Sequence, residues 1–296
     1  MTDSISALKL FVRVVRTGSI SKAGREFSLS QPSASRAIAM LEKDVGAPLL
    51  MRSTRAVVLT EAGADYLARI EPILAALDEA NQAVRGADQL QGELRVALPA
   101  TFATREVIPK LPAFLDRHPA LRINLLMDDA RQDLLREGVD VAIRFGTLAD
   151  SNATARLLCR NQRVMVASPE YLSRAGVPDS PPDLSDHQII IGPSASMASW
   201  SFERDGRAQS IRLEGRVATS SNDGATAAAV AGLGIVGTGL MGCSAELLDG
   251  KLIRVLKDWD MGTTEIHAVF PAGRAAKLAA KTFVEYLISF LQSHEQ

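Results

Sequence analysis

The chain has 296 residues, of which 47 % are hydrophobic and 23 % charged, and its net charge is −1 at pH 7. This composition is typical of a globular protein with a sizeable core, and the length favours two domains over one. Lys9 and Arg13 interrupt the first apolar stretch, and no later stretch reaches the ~18 apolar residues of a membrane helix, so neither a signal peptide nor a membrane span is predicted. Cys159 and Cys243 form no CxxC pair, which favours reduced thiols in a cytoplasmic protein.

The charge is unevenly divided along the chain. Residues 1–60 contain nine Lys or Arg and four Asp or Glu, so this block is basic and the remainder is acidic. A basic N-terminal block on an acidic body indicates a nucleic-acid-binding module joined to another domain.

The chain opens with a helix and a second, short helix. Apolar residues from Ile5 to Val15 recur at helical spacing, and Gly18 ends this first helix. Ser19 or Ser21 is positioned to cap the second helix. A tight connection then leads into a third helix, and this succession is the helix-turn-helix unit.

The third helix covers residues 30–45, with Ser30 as its N-cap, Pro32 in its first turn and Gly46 at its end. Its apolar stripe is Ala34, Ile38, Leu41 and Val45. Its opposite face is Ser33, Ser35, Arg36, Ala39, Met40 and Lys43. Such a face often meets only solvent. The neighbouring elements favour a helix that reads DNA in the major groove.

A small hairpin and a long helix follow. The turn-prone residues 52–55 separate Leu49-Leu50 from Val57-Val58, which predicts a wing that contacts phosphates or the minor groove. Thr60 is expected to cap a helix that runs to about Leu90. Its heptad seam is Tyr66, Ile70, Ile73, Leu77, Ala80 and Val84. The seam is compatible with dimerisation or with packing on the same chain, and Pro72 predicts a kink.

After Gln91-Gly92 the pattern becomes α/β, and the alternation predicts mainly parallel sheets. Strands are predicted at 93–98, 121–127, 139–145, 155–159, 163–167, 188–191, 211–217, 235–236, 251–256 and 266–270. Helices are predicted at 105–117, 130–137, 225–231 and 275–292, with a loop at 178–182.

A set of residues at fixed spacing in the first 63 positions resembles the winged helix-turn-helix of the LysR-type transcriptional regulators. The matching residues are Phe11, Gly18, Ser19, Ala23, Ser30, Gln31, Pro32, Ser35, Arg36, Leu41, Glu42, Gly46, Leu49, Arg52, Arg55 and residues 59–63. Gly24 departs from the usual alanine and costs about 1 kcal/mol of helix propensity. Leu50 stands where phenylalanine is usual, and Ala56 and Val58 stand where basic residues are frequent, which predicts a weaker hold on phosphates.

The remainder resembles the effector-binding domain of the same family through GELRVALPATFA, VDVAIRFG, NDGATAAAVAGLGIV, GKLIRVL with Trp259, and IHAVFP. The resemblance implies an α/β fold like that of type 2 periplasmic-binding proteins, with two subdomains. The predicted division is a winged helix-turn-helix at 1–60, a dimerising linker helix at 61–90 and an effector-binding domain at 91–296. Within the latter, subdomain I is about 91–162 and 267–296, and subdomain II is about 163–266.

Site residues follow from the pattern and the resemblance. DNA contacts are expected from Gln31, Pro32, Ser33, Ser35, Arg36, Arg52, Ser53, Thr54 and Arg55. Effector contacts are expected from Ala100, Thr101, Phe102, Arg144, Phe145, Gly146, Ser194, Ser196, Ser221 and Asn222. Each hydroxyl is alternatively a cap or turn residue, and Arg144 alternatively forms an ion pair with Asp140 or Asp150. With hydroxyls and one cation, the cluster predicts a small carboxylate as effector.

The sequence therefore predicts a cytoplasmic, DNA-binding transcriptional regulator that is not an enzyme, needs no cofactor or metal and forms a dimer or tetramer. Operator DNA, a small effector and RNA polymerase are the expected partners. A solute-binding protein or a cofactor-binding enzyme domain is the alternative. The segment 232–237 reads GxGxxG but follows a predicted helix, whereas a dinucleotide site needs a preceding strand. Residues 192–196 lack the last glycine of a hydrolase elbow.

Overall fold

The structure, a computed structural model, describes residues 4–52, 57–85, 90–128, 138–148, 154–193, 199–273 and 276–292. The helices are α1 (Ser4–Thr17), α2 (Ile20–Glu26), α3 (Gln31–Val45), α4 (Glu61–Arg85), α5 (Ala100–Phe102), α6 (Leu111–Arg117), α7 (Pro169–Ala175), α8 (Asn222–Val230), α9 (Ser244–Leu248) and α10 (Leu278–Leu291). The strands are β1 (Leu50–Arg52), β2 (Val57–Leu59), β3 (Gln91–Leu98), β4 (Ala120–Met127), β5 (Val141–Phe145), β6 (Thr154–Ala167), β7 (Ile189–Ile191), β8 (Ser199–Arg204), β9 (Arg207–Arg212), β10 (Val217–Ala218), β11 (Ile235–Gly239), β12 (Ile253–Val255) and β13 (Thr263–Phe270).

Local capping defines the first three helices. The Ser19 hydroxyl accepts a hydrogen bond from the Lys22 N–H at the start of α2, and the Ser30 hydroxyl accepts one from the Ser33 N–H at the start of α3. Gly46 ends α3 with φ of 78°, a left-handed conformation that favours glycine. The three helices enclose one core. Within α3 the buried residues are Ala34, Ala37, Ile38 and Leu41, whereas Val45 is 36 % exposed, so the predicted stripe was wrong at its last position.

Gly24 has a steric role where α2 meets α3. A Cβ atom built on Gly24 would lie 3.0 Å from Ala34 Cβ and 3.2 Å from the Leu29 carbonyl oxygen. The missing side chain therefore lets the two helices approach closely, which offsets its cost in helix propensity.

The wing is fastened to the helices by side-chain hydrogen bonds. β1 and β2 pair antiparallel, with Leu50 opposite Leu59. The Glu42 carboxylate accepts hydrogen bonds from the N–H groups of Leu49 (2.9 Å) and Leu50 (3.0 Å). Thr60 caps α4 as predicted, because its hydroxyl accepts the Gly63 N–H at 2.9 Å.

The predicted seam of α4 divides into two parts. Ile70 is 5 % exposed and lies in the core that α1 and α3 form, so the expectation that it faces a partner chain is corrected. Tyr66 packs against the same core, with its ring centroid 6.0 Å from that of Phe11, and burial raises its pKa. Ile73 is 62 % exposed, Leu77 is half-buried and Ala80 is exposed, whereas the Val84 side chain lies outside the described part. The helix continues through Pro72.

A nine-stranded sheet organises the rest of the chain, in the order β10-β7-β11-β6-β13-β5-β3-β4, with β12 also paired to β6. β6 is one strand where two were predicted. Its residues up to Gln162 pair with β13, residues 163–166 pair with β11, and residues 165–167 also pair with β12. These pairs and β5–β13 are antiparallel, whereas β10–β7, β7–β11, β5–β3 and β3–β4 are parallel, so the sheet is mixed and not mainly parallel as expected. β13 begins at Thr263, four positions before residue 267, where the second segment of subdomain I was predicted to begin.

Three further predictions differ from the structure. The strand predicted at 211–217 is divided between β9 and β10, and β9 forms an antiparallel hairpin with β8 that was not predicted. The helix predicted at 105–117 contains a π-helical turn at Ala103–Val107 and a 3-10 turn at Ile108–Lys110 before α6, since Pro109 and Pro112 donate no N–H. A 3-10 turn, Pro181–Asp186, begins within the predicted loop. The helix predicted at 130–137 lies outside the described residues.

Candidate functional sites

The first candidate site is the outward face of α3. Gln31, Pro32 and Arg36 are exposed, and Ser33 and Ser35 are half-buried near the helix start. Ala39, Met40 and Lys43 continue the exposed face. The face is thus small and polar at its beginning and basic at Arg36 and Lys43, as a helix that enters the major groove requires.

Hydrogen bonds order this face. The Gln31 side-chain oxygen accepts from the Ser21 hydroxyl at 3.1 Å, which links α2 to α3. The hydroxyls of Ser30 and Ser33 are 2.9 Å apart. The Arg36 Nε donates to the Pro32 carbonyl oxygen at 3.4 Å, which directs the guanidinium toward the first turn. Of the predicted wing contacts, Ser53, Thr54, Arg55 and the Arg52 side chain lie outside the described part.

The second candidate site lies between the two parts of the large sheet, at the ends of strands. Thr101 and Phe102 follow β3 and are buried, and Ala100 is half-buried. Phe145, at the end of β5, meets Phe102 edge to face with ring centroids 5.5 Å apart. The structure therefore brings these two predicted stretches together. Gly146 follows with φ of 80°, and its N–H donates to the Glu265 carbonyl oxygen.

The other predicted effector residues have different surroundings. The Ser221 hydroxyl accepts the Gly224 N–H at 3.1 Å and so caps α8, which was the alternative role for each hydroxyl. Asn222 is half-buried in the first turn of α8. Arg144 is half-buried opposite His267 in the β5–β13 pair. Asp140, one of its two expected partners, accepts from Lys277 Nζ at 3.0 Å. Ser194, Ser196 and Asp150 lie outside the described residues.

An ion-pair cluster that the sequence did not reveal crosses this cleft. Arg105, one helical turn beyond Thr101, donates to the Glu246 carboxylate through Nη1 (2.8 Å) and Nη2 (2.9 Å) and to Asp223 through Nε (3.3 Å). The hydrogen bonds from Arg105 lower the pKa of Glu246, and the Glu246 carboxylate raises the pKa of Arg105. Asp223 and Glu246 lie on α8 and α9, so one side chain joins the two halves of the domain.

A separate open groove of about 1320 Å³ lies where β6, the β8–β9 turn and α9 meet. Its lining includes Arg160, Met241, Arg254 and Trp259 and none of the residues predicted for the effector. Five acidic and four basic side chains line it, so it offers no strong charge complementarity to an ionic ligand.

The GxGxxG motif is not supported by its context, and most of the other competing motif, at 192–196, lies outside the described residues. Gly232, Gly234 and Gly237 follow α8 and lead into β11, the reverse of the strand–glycine–helix order of a dinucleotide site. Gly237 instead makes room for Trp200, because a Cβ atom on Gly237 would lie 1.9 Å from the Trp200 ring.

Within the described ranges, no group of three His, Cys, Asp or Glu could hold a metal ion, and no helix could cross a membrane. Cys243 is buried, which raises its pKa to about 11.

Comparison with known proteins gives matches along nearly the whole chain. Residues 5–64 match the family model described as bacterial regulatory helix-turn-helix protein, lysR family, and residues 87–292 match the model of the LysR substrate binding domain. The chain is 32 % identical over 296 residues to the HTH-type transcriptional regulator YhjC of Escherichia coli, covering 99 % of each. It is 32 % identical over 274 residues to an HTH-type transcriptional regulator of Haemophilus influenzae, covering 92 % of this chain and 95 % of that protein. CrgA of Neisseria meningitidis, a LysR-type transcriptional regulator, is 29 % identical, with a TM-score of 0.63 over 96 % of this chain and 98 % of that one.

Proposed function

The chain belongs to the LysR family of helix-turn-helix transcriptional regulators, and from this premise we propose that α3 binds operator DNA under the control of a small carboxylate effector. The observation that carries the proposal is the two-sided character of α3. Its inner side is closed by the domain core, while Gln31, Pro32 and Arg36 are exposed at its N-terminal end. Side chains in that position reach base edges when a recognition helix enters the major groove.

The wing adds a second contact. Arg52, Ser53, Thr54 and Arg55 bind the phosphate backbone beside the recognition helix, and Gln31, Ser33, Ser35 and Arg36 make the base and phosphate contacts of α3. Phosphate contacts set affinity and salt dependence, and base contacts set the sequence that is read. This division of roles makes the two groups separable by experiment.

The effector binds between the two α/β subdomains. Subdomain I covers about 91–162 with 267–296, and subdomain II covers about 163–266. Ala100, Thr101, Phe102, Phe145 and Gly146 contribute from the first subdomain. Ser194, Ser196, Ser221 and Asn222 contribute from the second, and Arg144 pairs with the effector carboxylate. Binding shifts the subdomains and thereby the spacing of the recognition helices.

The regulator acts in the cytoplasm as a dimer or a tetramer, with α4 as the dimerising linker. Support for the linker comes from the exposed part of its seam, Ile73 with Ala80. A dimer presents two recognition helices about one turn of DNA apart and so reads a palindromic operator. RNA polymerase is the expected partner at the promoter.

Substitution of Arg36 tests the docking. Arg36→Ala should weaken operator binding by about tenfold to a hundredfold, because a base or phosphate contact of a recognition helix is lost.

Arg55→Ala should weaken binding to all DNA sequences alike and reduce the salt dependence of binding. Gel-shift titration measures both, and Arg156→Ala, an exposed arginine of the effector domain, is the matched control. Unchanged operator affinity for Arg36→Ala would contradict the proposed docking.

A further inference from the structure

The first helix of the winged helix-turn-helix lies against the effector domain of the same chain. A Cβ atom built on Gly138 would lie 1.9 Å from Arg13 Nη1, so the Arg13 guanidinium occupies the place where a side chain of residue 138 would begin. Arg13 Nη2 also donates to the Glu26 carboxylate at 2.9 Å. The Arg13 side chain is only 13 % exposed, whereas arginines are mostly exposed. This cation is therefore enclosed between the two parts of the chain.

One helical turn after Arg13, a row of alternating charges crosses the same boundary. Arg16 Nη2 donates to Glu71 of α4 at 2.9 Å, and Arg16 Nη1 lies 4.0 Å from the Asp140 carboxylate of the effector domain. The Asp140 side chain is 3 % exposed, and it also accepts from Lys277 Nζ at 3.0 Å. A buried carboxylate needs compensating cations, and Arg16 supplies one of them from the winged helix-turn-helix.

The electrostatics of Glu26 supports this contact. Burial by itself raises the pKa of the Glu26 carboxyl, but the hydrogen bond and charge of Arg13 and the charges of Arg95 and Lys22 together lower it. Arg95 belongs to β3 of the effector domain, so charges of the two parts are near enough to act on one another. In addition, α4 packs against α10.

The contact lies at the beginning of two strands that lead to the proposed effector cleft. Asp140 directly precedes β5, and its carboxylate accepts the Arg95 N–H of β3 at 3.0 Å. β3 and β5 are paired in parallel, and they lead to Thr101 and Phe145. These two paired strands thus connect the cleft to the winged helix-turn-helix.

We propose that the winged helix-turn-helix docks on subdomain I of its own chain through Arg13 and Arg16, so that these two parts turn as one body while subdomain II moves against them. The effector-domain residues of the contact, Arg95, Gly138 and Asp140, all belong to subdomain I. The outward face of α3 stays exposed beside the contact, so the docked form binds DNA. Only this last step rests on the proposed function.

Chemical cross-linking of the purified full chain tests the docking without DNA or effector. Arg13→Cys with Gly138→Cys, treated with a short bismaleimide, should give a link within one chain in most molecules, identified by mass spectrometry. Arg16 and the packing of α4 on α10 keep the two parts docked in this variant. Cys159 and Cys243 are buried and do not compete for the reagent.

The matched control is Arg13→Cys with Gly250→Cys, which should give little link. Gly250 has φ of 70° against 63° for Gly138, and a Cβ atom built on it meets no described atom within 4 Å. A yield for the Gly138 pair no higher than that of the control would overturn the docking. A link at the mass of two chains would place the contact between chains and also overturn it.

Charge reversal tests the role of Arg16. Arg16→Glu, added to the cysteine pair at 13 and 138, should lower the yield of the link at least about fivefold, because it places a carboxylate beside Asp140 and Glu71. Arg25→Glu, the same change at an exposed residue of α2, should leave the yield unchanged. Equal yields with Arg16→Glu and Arg25→Glu would show that Arg16 does not hold the two parts together.

The linked protein then tests whether the docked form binds DNA. With a fragment that the wild type selects from genomic DNA, linked and unlinked protein should bind with affinities within about twofold of each other in gel-shift titration. A loss of about tenfold or more on linking would contradict the movement as one body. If the wild type selects no fragment, the proposed function fails, whereas the yield of the link still decides the docking.

Discussion

Glu42 shows how one side chain joins two elements of the DNA-binding domain. Its carboxylate accepts hydrogen bonds from the N–H groups of Leu49 and Leu50 at 2.9 and 3.0 Å, which join the end of α3 to the beginning of the wing. The position of the wing relative to the recognition helix therefore depends on this residue as well as on the core.

Glu42→Ala should lower the free energy of unfolding by about 1–3 kcal/mol, because two N–H groups lose a charged acceptor. Asp44→Ala, an exposed acid two positions along the same helix, should change it by less than about 0.5 kcal/mol. Urea denaturation followed by circular dichroism measures both variants. Equal effects of the two substitutions would mean that the Glu42 hydrogen bonds do not stabilise the domain.

The predictability of single residues depends on how far their partners lie along the chain. Ser30, Gly46 and Thr60 were recognised as helix-end residues, because a cap bonds within about one turn of its own position. The Glu42 carboxylate accepts from residues seven and eight positions away, and a contact of this kind leaves no periodic pattern in the sequence. Arg105 pairs with a carboxylate 141 positions away, which only the folded chain brings near.

At the level of elements, the Arg105 cluster joins the two halves of the effector domain. The side chains of Arg105 and Glu246 are 21 % and 19 % exposed, so solvent screens this pair less than a surface pair. Its strength should depend on pH, because Arg105 lowers the pKa of Glu246 below its ordinary value of 4.5. A lowered pKa in the folded protein contributes stability above the unfolded value, and the contribution is lost as pH falls through the folded value.

Arg105→Gln should therefore reduce the free energy of unfolding by about 1–3 kcal/mol at pH 7, where Glu246 is charged. The difference from the wild type should shrink below about pH 4.5, as Glu246 takes up a proton. Denaturation at a series of pH values measures this, with Arg156→Gln as control, since Arg156 and Glu285 form an exposed pair within one subdomain. A difference that does not change with pH would exclude the Glu246 pair as its source.

The elements themselves were predicted unevenly. The first three helices and the wing followed from caps and periodicity, which are local. β6 was predicted as two strands because the polar residues 160–162 interrupt its apolar runs. The strand continues through these residues, and its partner changes from β13 to β11 at Arg163. The β8–β9 hairpin was missed although β8 alternates as a half-buried strand does, with Trp200 and Phe202 buried and Ser201 and Glu203 exposed. In β9, Ile211 is the one large apolar residue, so that strand has little apolar signal of its own.

At the scale of the whole molecule, α4 is the element that we propose to connect DNA reading to assembly. Its first half packs on the winged helix-turn-helix through Ile70 and Leu74, and Ile73 stays 62 % exposed on a neighbouring face. A large exposed apolar side chain in a heptad seam is a candidate contact with a second chain.

Ile73→Glu should reduce the assembly by one step, from tetramer to dimer or from dimer to monomer, because a charge would be buried at the α4 contact. Val177→Glu, at an effector-domain residue that is also 62 % exposed, is the matched control and should leave the assembly unchanged. Analytical ultracentrifugation at micromolar concentration distinguishes the species. Identical sedimentation of Ile73→Glu and the wild type would show that Ile73 does not lie at the interface between chains.

Selection of genomic DNA fragments by the purified full chain tests sequence-specific DNA recognition most directly. The retained fragments should share a dyad-symmetric site, and this site should bind at least about a thousandfold more tightly than a scrambled sequence of equal length at the same salt concentration. Arg36→Ala should reduce this difference by about tenfold to a hundredfold. Equal affinity for the selected and the scrambled DNA would contradict the claim that this protein reads an operator.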